Sequence, residues 1–175
     1  AAKILHTNPI IRYLPAQPAL GRFNDSFGNY LYLLERRPHE NWEKEPDFAR
    51  SSNIVNTVEM LQNLREGKDN KVDQLLYVRS RLFDMFIGDW SRHEDQWAWA
   101  AITKNGAVTY KPIPHDRDQA YSKFDGLLPK LVLRAANLDY LQSFTYRVEE
   151  VEPYGYPARH LDRRCTNEVT HDQWV

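Results

Sequence analysis

With 175 residues, 42% of them apolar and 27% charged, the chain has the length and composition of a folded domain, and a formal net charge of −1 supplies no bulk basic field for nucleic acid or an anionic membrane. One cysteine, Cys165, excludes an intrachain disulfide and a multi-cysteine metal site. No apolar run approaches the roughly 20 residues that span a bilayer, so no transmembrane segment is expected, and the opening AAKILHTNP lacks a signal-peptide layout.

From the N-terminus, Ile10–Leu14 and Tyr30–Leu34 are β-prone runs that predict two short strands. The connection PAQPALGRFNDSFGN is punctuated by Pro15, Pro18, Gly21 and Gly28 and reads as mobile turns without a Gly-rich phosphate loop. Pro38 stops the second strand, and HENWEKEPD is a polar linker. Residues 1–40 thus form one part, a hinge or the end of an upper lobe, and 41–175 a second, mainly helical part.

Ser51, Ser52 and Asn53 offer N-caps for a helix through Val58, Met60, Leu61 and Leu64, with Gly67 placed as its C′ residue. The next helix has the clearest periodicity: Val72, Leu75, Leu76, Leu82, Phe83, Phe86 and Ile87 recur at three- and four-residue steps, so that face is expected to bury. Arg79 and Arg81 lie off the stripe and read as solvated, and Asp84 reads as helical and exposed. The helix ends at Gly88 and delivers a polar segment, Asp89-Trp90-Ser91-Arg92-His93-Glu94-Asp95-Gln96, to a fixed place.

Two alternating segments then meet at Asn105-Gly106, the strongest short-range hairpin signal, because a type I′ turn needs positive φ at both central residues. Counting outward from that turn over the hairpin 96–115, Lys104 faces Ala107, Trp99 faces Pro112, Gln96 faces His115 and Asp95 faces Asp116. Cross-strand partners lie about 5 Å apart, so the polar segment 89–96 and a second one, His115-Asp116-Arg117-Asp118, should be neighbours. Beyond the hairpin, residues 127–137 and 140–148 predict one or two helices, and a short helix runs through Leu161. Thr170 with Gln173 forms a capping box that announces another helix, so a longer polypeptide is expected.

The two polar segments together offer hard oxygen ligands for Mg²⁺ or Mn²⁺ and groups able to move protons. Three readings follow from the residues. The same charges can simply neutralise one another on a surface hairpin, with Arg92 and Arg117 between the carboxylates. They can serve a metal-dependent hydrolase of phosphoesterase type through Asp89, His93, Asp95, His115, Asp116 and Asp118, although no His-Glu-x-x-His spacing is present. Or the chain is a non-catalytic module that uses a surface rich in tryptophan, at 90, 97 and 99, to bind a partner, although the same tryptophans can equally pack around the site.

Helix, polar loop, hairpin and acidic residue is also the order of the catalytic segment in kinase-like folds. IGDWSRHEDQW resembles the Asp-Arg-His-x-x-Asn loop of phosphatidylinositol-kinase-like and HipA-type kinases, and Asp116-Arg117-Asp118-Gln119-Ala120-Tyr121 resembles the metal motif of secretory-pathway Golgi kinases. Over nearly its full length the chain is similar to an uncharacterised segment of large Bacteroidota envelope proteins, lying between a metallophosphoesterase region and an outer-membrane barrel. The blocks that carry this likeness are HTNP, YLPAQPALG, LYLLERRP, KVDQLLYVRSRLFDMFIGDWSRHEDQW, PIPHDRDQAYSKFDGLLP and LDRRCTNEVTHDQW.

The resemblance implies an α+β fold, a mainly helical kinase-like lower lobe with a central β-hairpin and short N-terminal strands, in the envelope of a Gram-negative bacterium. It implies a nucleotide or phosphorylated small molecule as ligand, with Mg or Mn and ATP as cofactors. Asp116, Gln96 and Asp95 would hold the metal, Arg92 and Asp118 would face the nucleotide, and Asp89, Ser91 and His93 would form the catalytic loop, His93 by ordering it. Two departures matter. Ser91 stands where the motif has its catalytic Asp, leaving Asp89 as the stand-in from two residues away, and no convincing Lys that would pair the phosphates is present.

Overall fold

The chain is described here by a computed structural model covering residues 3–38, 45–51, 53–138, 141, 143–148, 150–170 and 172. Its elements are those of an α+β fold. Contacts divide it into two compact units, Thr7–Arg37 and the remainder.

In the smaller unit β1 (Ile10–Leu14) pairs antiparallel with β2 (Tyr30–Leu34), as the β-prone runs predict. The connection between them is more ordered than its composition suggests. Pro18–Phe23 forms a 3-10 helix and α1 (Asn24–Phe27) a single α turn. Asn24 closes the loop by accepting from the Gln17 amide and donating to the Gln17 carbonyl, both at 2.8 Å.

The larger unit is built on a four-stranded sheet in the order β3 (Asn53–Asn56), β5 (Trp97–Lys104), β6 (Ala107–Pro114), β4 (Lys71–Val72), with β4 parallel to β6 and the other pairs antiparallel. The hairpin has the register counted from the sequence: Lys104 faces Ala107 and Trp99 faces Pro112. Asn105 at φ 52° and Gly106 at φ 83° supply the two positive angles of the turn.

Alternation along β5 explains the layering. Trp97 and Trp99 point to one face and pack with Val55, Met60, Val72, Tyr77, Tyr110, Leu161 and Cys165. Ala98 and Ala100 point to the other, beneath Phe48, Ile54 and Ile113. The large residues thus fill the side that carries α2 (Thr57–Glu66), α3 (Gln74–Phe86) and α6 (Arg159–Cys165). The Tyr77 ring lies 4.9 Å from Trp97 and 6.0 Å from Trp99, an aromatic stack that adds about 0.5–1.5 kcal/mol per pair beyond area burial. Trp97 and Trp99 are therefore core residues: of the two roles open to them, packing around the polar loop and a stacking surface, they take the first.

Other expectations are corrected as well. Asn53 starts a strand instead of capping a helix, because Ile54 and Val55 bury on opposite faces of the sheet. The cap of α2 is Asn56, whose side chain accepts from the Glu59 amide at 2.9 Å; Ser52 lies outside the described residues. Gly67 ends α2 with extended backbone, and its lack of a side chain is what admits Asn70. A Cβ at Gly67 would come within 2.2 Å of the Asn70 amide, which donates to the Asn63 carbonyl at 2.9 Å.

The rotation of α3 differs from the predicted stripe. Asp73 caps it, and its buried side is Leu76, Tyr77, Val78, Ser80, Arg81 and Asp84, whereas Leu82 is 41% and Phe86 72% exposed. Docking of Tyr77 on the tryptophan pair sets this rotation, and Arg81 and Asp84, one and two turns further along the same side, are carried into the interior. Both had been read as solvated.

Towards the C-terminus α4 (Leu127–Ala135), α5 (Glu152–Gly155) and α6 follow. Residues 143–148 are not helical, against expectation, while Tyr140 and the Gln173 of the capping box lie outside the described residues. Among the described residues no helix is long and apolar enough to cross a membrane.

Candidate functional site

The site begins at the end of α3, which closes in a Schellman motif. Gly88, at φ 70°, donates to the Met85 carbonyl at 3.2 Å, and the Asp89 amide reaches back to the Asp84 carbonyl at 2.8 Å. Glycine is required: a side chain at position 88 would be strained and would meet the Phe144 ring at 2.9 Å. The reversal turns Asp89 into the interior, where it is fully buried.

Arg92, equally buried, organises the loop. Its Nη2 donates to Asp89, its Nη1 donates to the carbonyls of Gln96 at 3.0 Å and His115 at 2.6 Å, and its Nε lies 3.1 Å from Asp84 Oδ2. The guanidinium also sits over the Trp97 ring at 5.4 Å. One side chain thus ties the 89–96 loop to both strands at the open end of the hairpin. Arg92, expected to face a nucleotide, and Asp89, expected in the catalytic loop, are both wholly buried and paired with each other.

Asp84 is the hub that sequence reasoning missed. Its Oδ1 accepts from Arg117 Nε at 3.1 Å, its Oδ2 faces Arg92, and Arg81 Nη1 approaches at 3.6 Å. Arg81 in turn holds Asp162 at 2.9 Å and the Tyr154 carbonyl at 2.9 Å, and the Tyr77 hydroxyl donates to Asp162 at 2.6 Å. The network balances three arginines, 81, 92 and 117, against three aspartates, 84, 89 and 162. Burial pushes the Asp84 carboxyl above its usual range, with Arg92, Arg117 and Arg81 pulling it back. Burial, and then Asp162, raise the Tyr77 phenol well above its ordinary value.

Above this core the buried Gln96 and the half-buried Ser91 lead to His93, Asp95 and Asp116, which face solvent. The Gln96 amide donates to Ser91 Oγ at 3.0 Å, and Ser91 Oγ donates to Asp89 Oδ1 at 3.3 Å. Ser91 is a neutral donor to Asp89, a role that an ionised carboxylate at this position could not take. His93, 50% exposed, caps the 3-10 turn Glu94–Gln96 by accepting from the Asp95 amide at 3.3 Å. Thr57 fastens the same turn: its hydroxyl donates to the Glu94 carbonyl at 2.7 Å and accepts from Trp99 Nε1 at 3.0 Å.

The hairpin ladder continues one step beyond the strands, through the His115 amide and the Gln96 carbonyl at 3.1 Å, and stops there. Asp95 and Asp116 do not form the expected cross-strand pair, because residues 94–96 coil into the 3-10 turn and Asp116 turns left-handed at φ 57°. Asp95 is 86% exposed, and Asp116 and Asp118 are also exposed. Left-handed backbone at a non-glycine residue costs on the order of 1 kcal/mol and persists where its surroundings hold it. Here His115 is pinned to Gln96 on one side and Arg117 to Asp84 on the other.

Gln96 and Asp116 therefore occupy adjoining places at the open end of the hairpin, with Ser91 bonded to Gln96, while Asp89 and Arg92 lie beneath them. Among the described residues no three His, Cys, Asp or Glu side chains converge to hold a metal. The signal that could have exposed Asp84 was its spacing from Arg81 and Tyr77 on the helix. Compared with protein-family models, with curated proteins and with solved structures, the chain matches none.

Proposed function

We propose that this chain is an atypical kinase-like lower lobe that takes a nucleotide with its Mg²⁺ or Mn²⁺ on the 91–96 loop and the 116–118 segment, and whose phosphoryl transfer is impaired. The observation that carries this reading is the joining of the two segments at Gln96 and His115, with Asp116 held left-handed directly after the junction. Asp116 would provide the carboxylate for the cation and Gln96 an amide oxygen beside it, while Asp118 and His93 line the solvent side.

Ser91 supports the impaired state. It stands at the position of the catalytic Asp in the motif that the loop resembles, and a hydroxyl hydrogen-bonded to Asp89 and Gln96 is no anionic base. Asp89 does not replace it, because its carboxylate is buried against Arg92. The sequence resemblance adds the setting, a bacterial envelope protein of which this lobe is a part.

Calorimetric titration with ATP in the presence of Mg²⁺ or Mn²⁺ tests the reading. Saturable heat is expected for the wild-type chain, with roughly tenfold or greater loss in Asp116→Asn, the factor equivalent to about 1.4 kcal/mol, the asparagine keeping the tolerance of left-handed backbone that this position needs. Absence of nucleotide binding in the wild type at millimolar ligand sinks the proposal.

A further inference from the structure

We propose that Asp84 is the positioning residue that makes the two polar segments a single unit, so that the 91–96 loop and the 115–121 loop order and open together. The assignment of ligand roles to Gln96 and Asp116 rests on the kinase-like reading above; the coupling rests on geometry alone. Each carboxylate oxygen of Asp84 serves one segment: Oδ1 accepts a hydrogen bond from Arg117, and Oδ2 faces Arg92 Nε at 3.1 Å as an ion pair without hydrogen-bond geometry. Arg92 carries the effect onward to the carbonyls of Gln96 and His115, which flank the junction.

The carboxylate is placed for this by backbone as well as side chain. The Asp84 carbonyl accepts from the Asp89 amide, so the same residue fixes where the 89–96 loop leaves the helix. On the other side, the Tyr121 amide donates to the Ile87 carbonyl at 2.9 Å, and Arg117 lies over the Phe83 ring at 5.2 Å. Both loops are thus seated on the last turns of α3, and Asp84 forms ion pairs with both Arg92 and Arg117. An arginine released from it would leave the other facing a carboxylate with one oxygen unmatched, and the penalty would pass to the second loop.

Hydrogen–deuterium exchange read by mass spectrometry tests the coupling without any ligand. Asp84→Asn keeps the shape but puts an N–H group against one of the two guanidiniums. It should speed exchange in both 91–96 and 115–121 by about tenfold or more relative to the sheet, a change of about 1.4 kcal/mol in local opening. Arg117→Ala, a milder change at a partly exposed side chain, should speed exchange in 115–121 and also in 91–96, which it reaches through Asp84. Asp162→Asn is the control: it disturbs the same buried network through Arg81 and should lower the melting temperature without singling out the two loops.

The proposal is overturned if Arg117→Ala opens only its own loop, or if Asp84→Asn raises exchange uniformly, as a merely structural loss would. Should Asp84→Asn fail to fold, the Arg117→Ala comparison decides alone. Mg²⁺–ADP titration of Arg117→Ala supplies the functional arm, with affinity about tenfold weaker expected while Asp162→Asn retains wild-type affinity. A wild-type chain that takes no nucleotide removes the kinase-like reading and leaves the exchange result to decide the coupling.

Discussion

Replacing Thr57 by valine removes a hydroxyl that fastens the polar loop to the sheet and leaves the shape of the side chain in place. Thr57 is buried, and its oxygen accepts from Trp99 Nε1 at 3.0 Å while donating to the Glu94 carbonyl at 2.7 Å. Trp99 is wholly buried, so its indole N–H would lose its partner without access to water, a cost of about 1–3 kcal/mol. Glu94 is exposed, and its carbonyl rehydrates, losing only the net value of a hydrogen bond, about 0.5–1.5 kcal/mol. The sum is about 3 kcal/mol, which for a chain of this size lowers the melting temperature by roughly 6–12 °C. Thr57→Ser keeps both bonds and loses one methyl group, worth about 0.8 kcal/mol. Urea denaturation followed by tryptophan fluorescence should therefore rank wild type above serine and serine above valine. A valine variant as stable as the serine variant would refute the assignment.

Alkaline pH should destabilise the fold. Burial, and then Asp162, push the Cys165 thiol from 9.0 up to about 12, and Tyr77 is shifted in the same direction. Because the folded state holds these protons more tightly, their contribution is complete below pH 9 and is lost as pH rises from 9 towards 12; denaturation midpoints measured across that range should fall, less steeply in Cys165→Ala. The same burial predicts that a thiol reagent at pH 8 leaves the native protein unmodified and titrates one thiol after unfolding. Gly106→Ala meets no atom within 4 Å yet sits at φ 83°, so it should cost about 1 kcal/mol through backbone strain alone, and Gly106→Asn less, by thermal denaturation.

What was legible in the sequence was local. Asn105-Gly106 determines its own turn, and alternation on either side fixes the register for eight residue pairs, so the hairpin could be counted before any coordinate was known. The failures arise where local and long-range preferences compete. Ser51, Ser52 and Asn53 are good caps, but Asn53–Asn56 pairs with Ala98 to Ala101, nearly fifty residues away, and that pairing moves the cap to Asn56. The Trp97-Ala98-Trp99-Ala100 alternation carries the information that one face of the sheet is thick and the other thin, but next to a polar loop the same residues fit a stacking surface as well as a core, and only the docking of Tyr77 on them decides for the core.

The candidate site divides along the same line. Convergence of the two polar segments follows from hairpin register, whereas Asp84 and Arg81 were hidden because helical periodicity marks apolar residues and assigns a charge between them to solvent. Their partners come from elsewhere: Arg92 and Arg117 from the two loops, Asp162 from α6. A buried charge is tolerated only when paired, and removing one member of such a pair costs about 3–5 kcal/mol, although replacing a whole set with apolar residues is often neutral. The network is thus weak evidence for stability as such. What apolar residues could not reproduce is its directionality: Arg92 donates to Asp89 and to two carbonyls at once while its Nε faces Asp84, which ties the placement of the 89–96 loop to the hairpin. That demand explains why Asp89, the carboxylate that motif order would enlist for chemistry, faces inward: in this chain its geometry is committed to Arg92, whereas Asp116 and Asp118 are exposed.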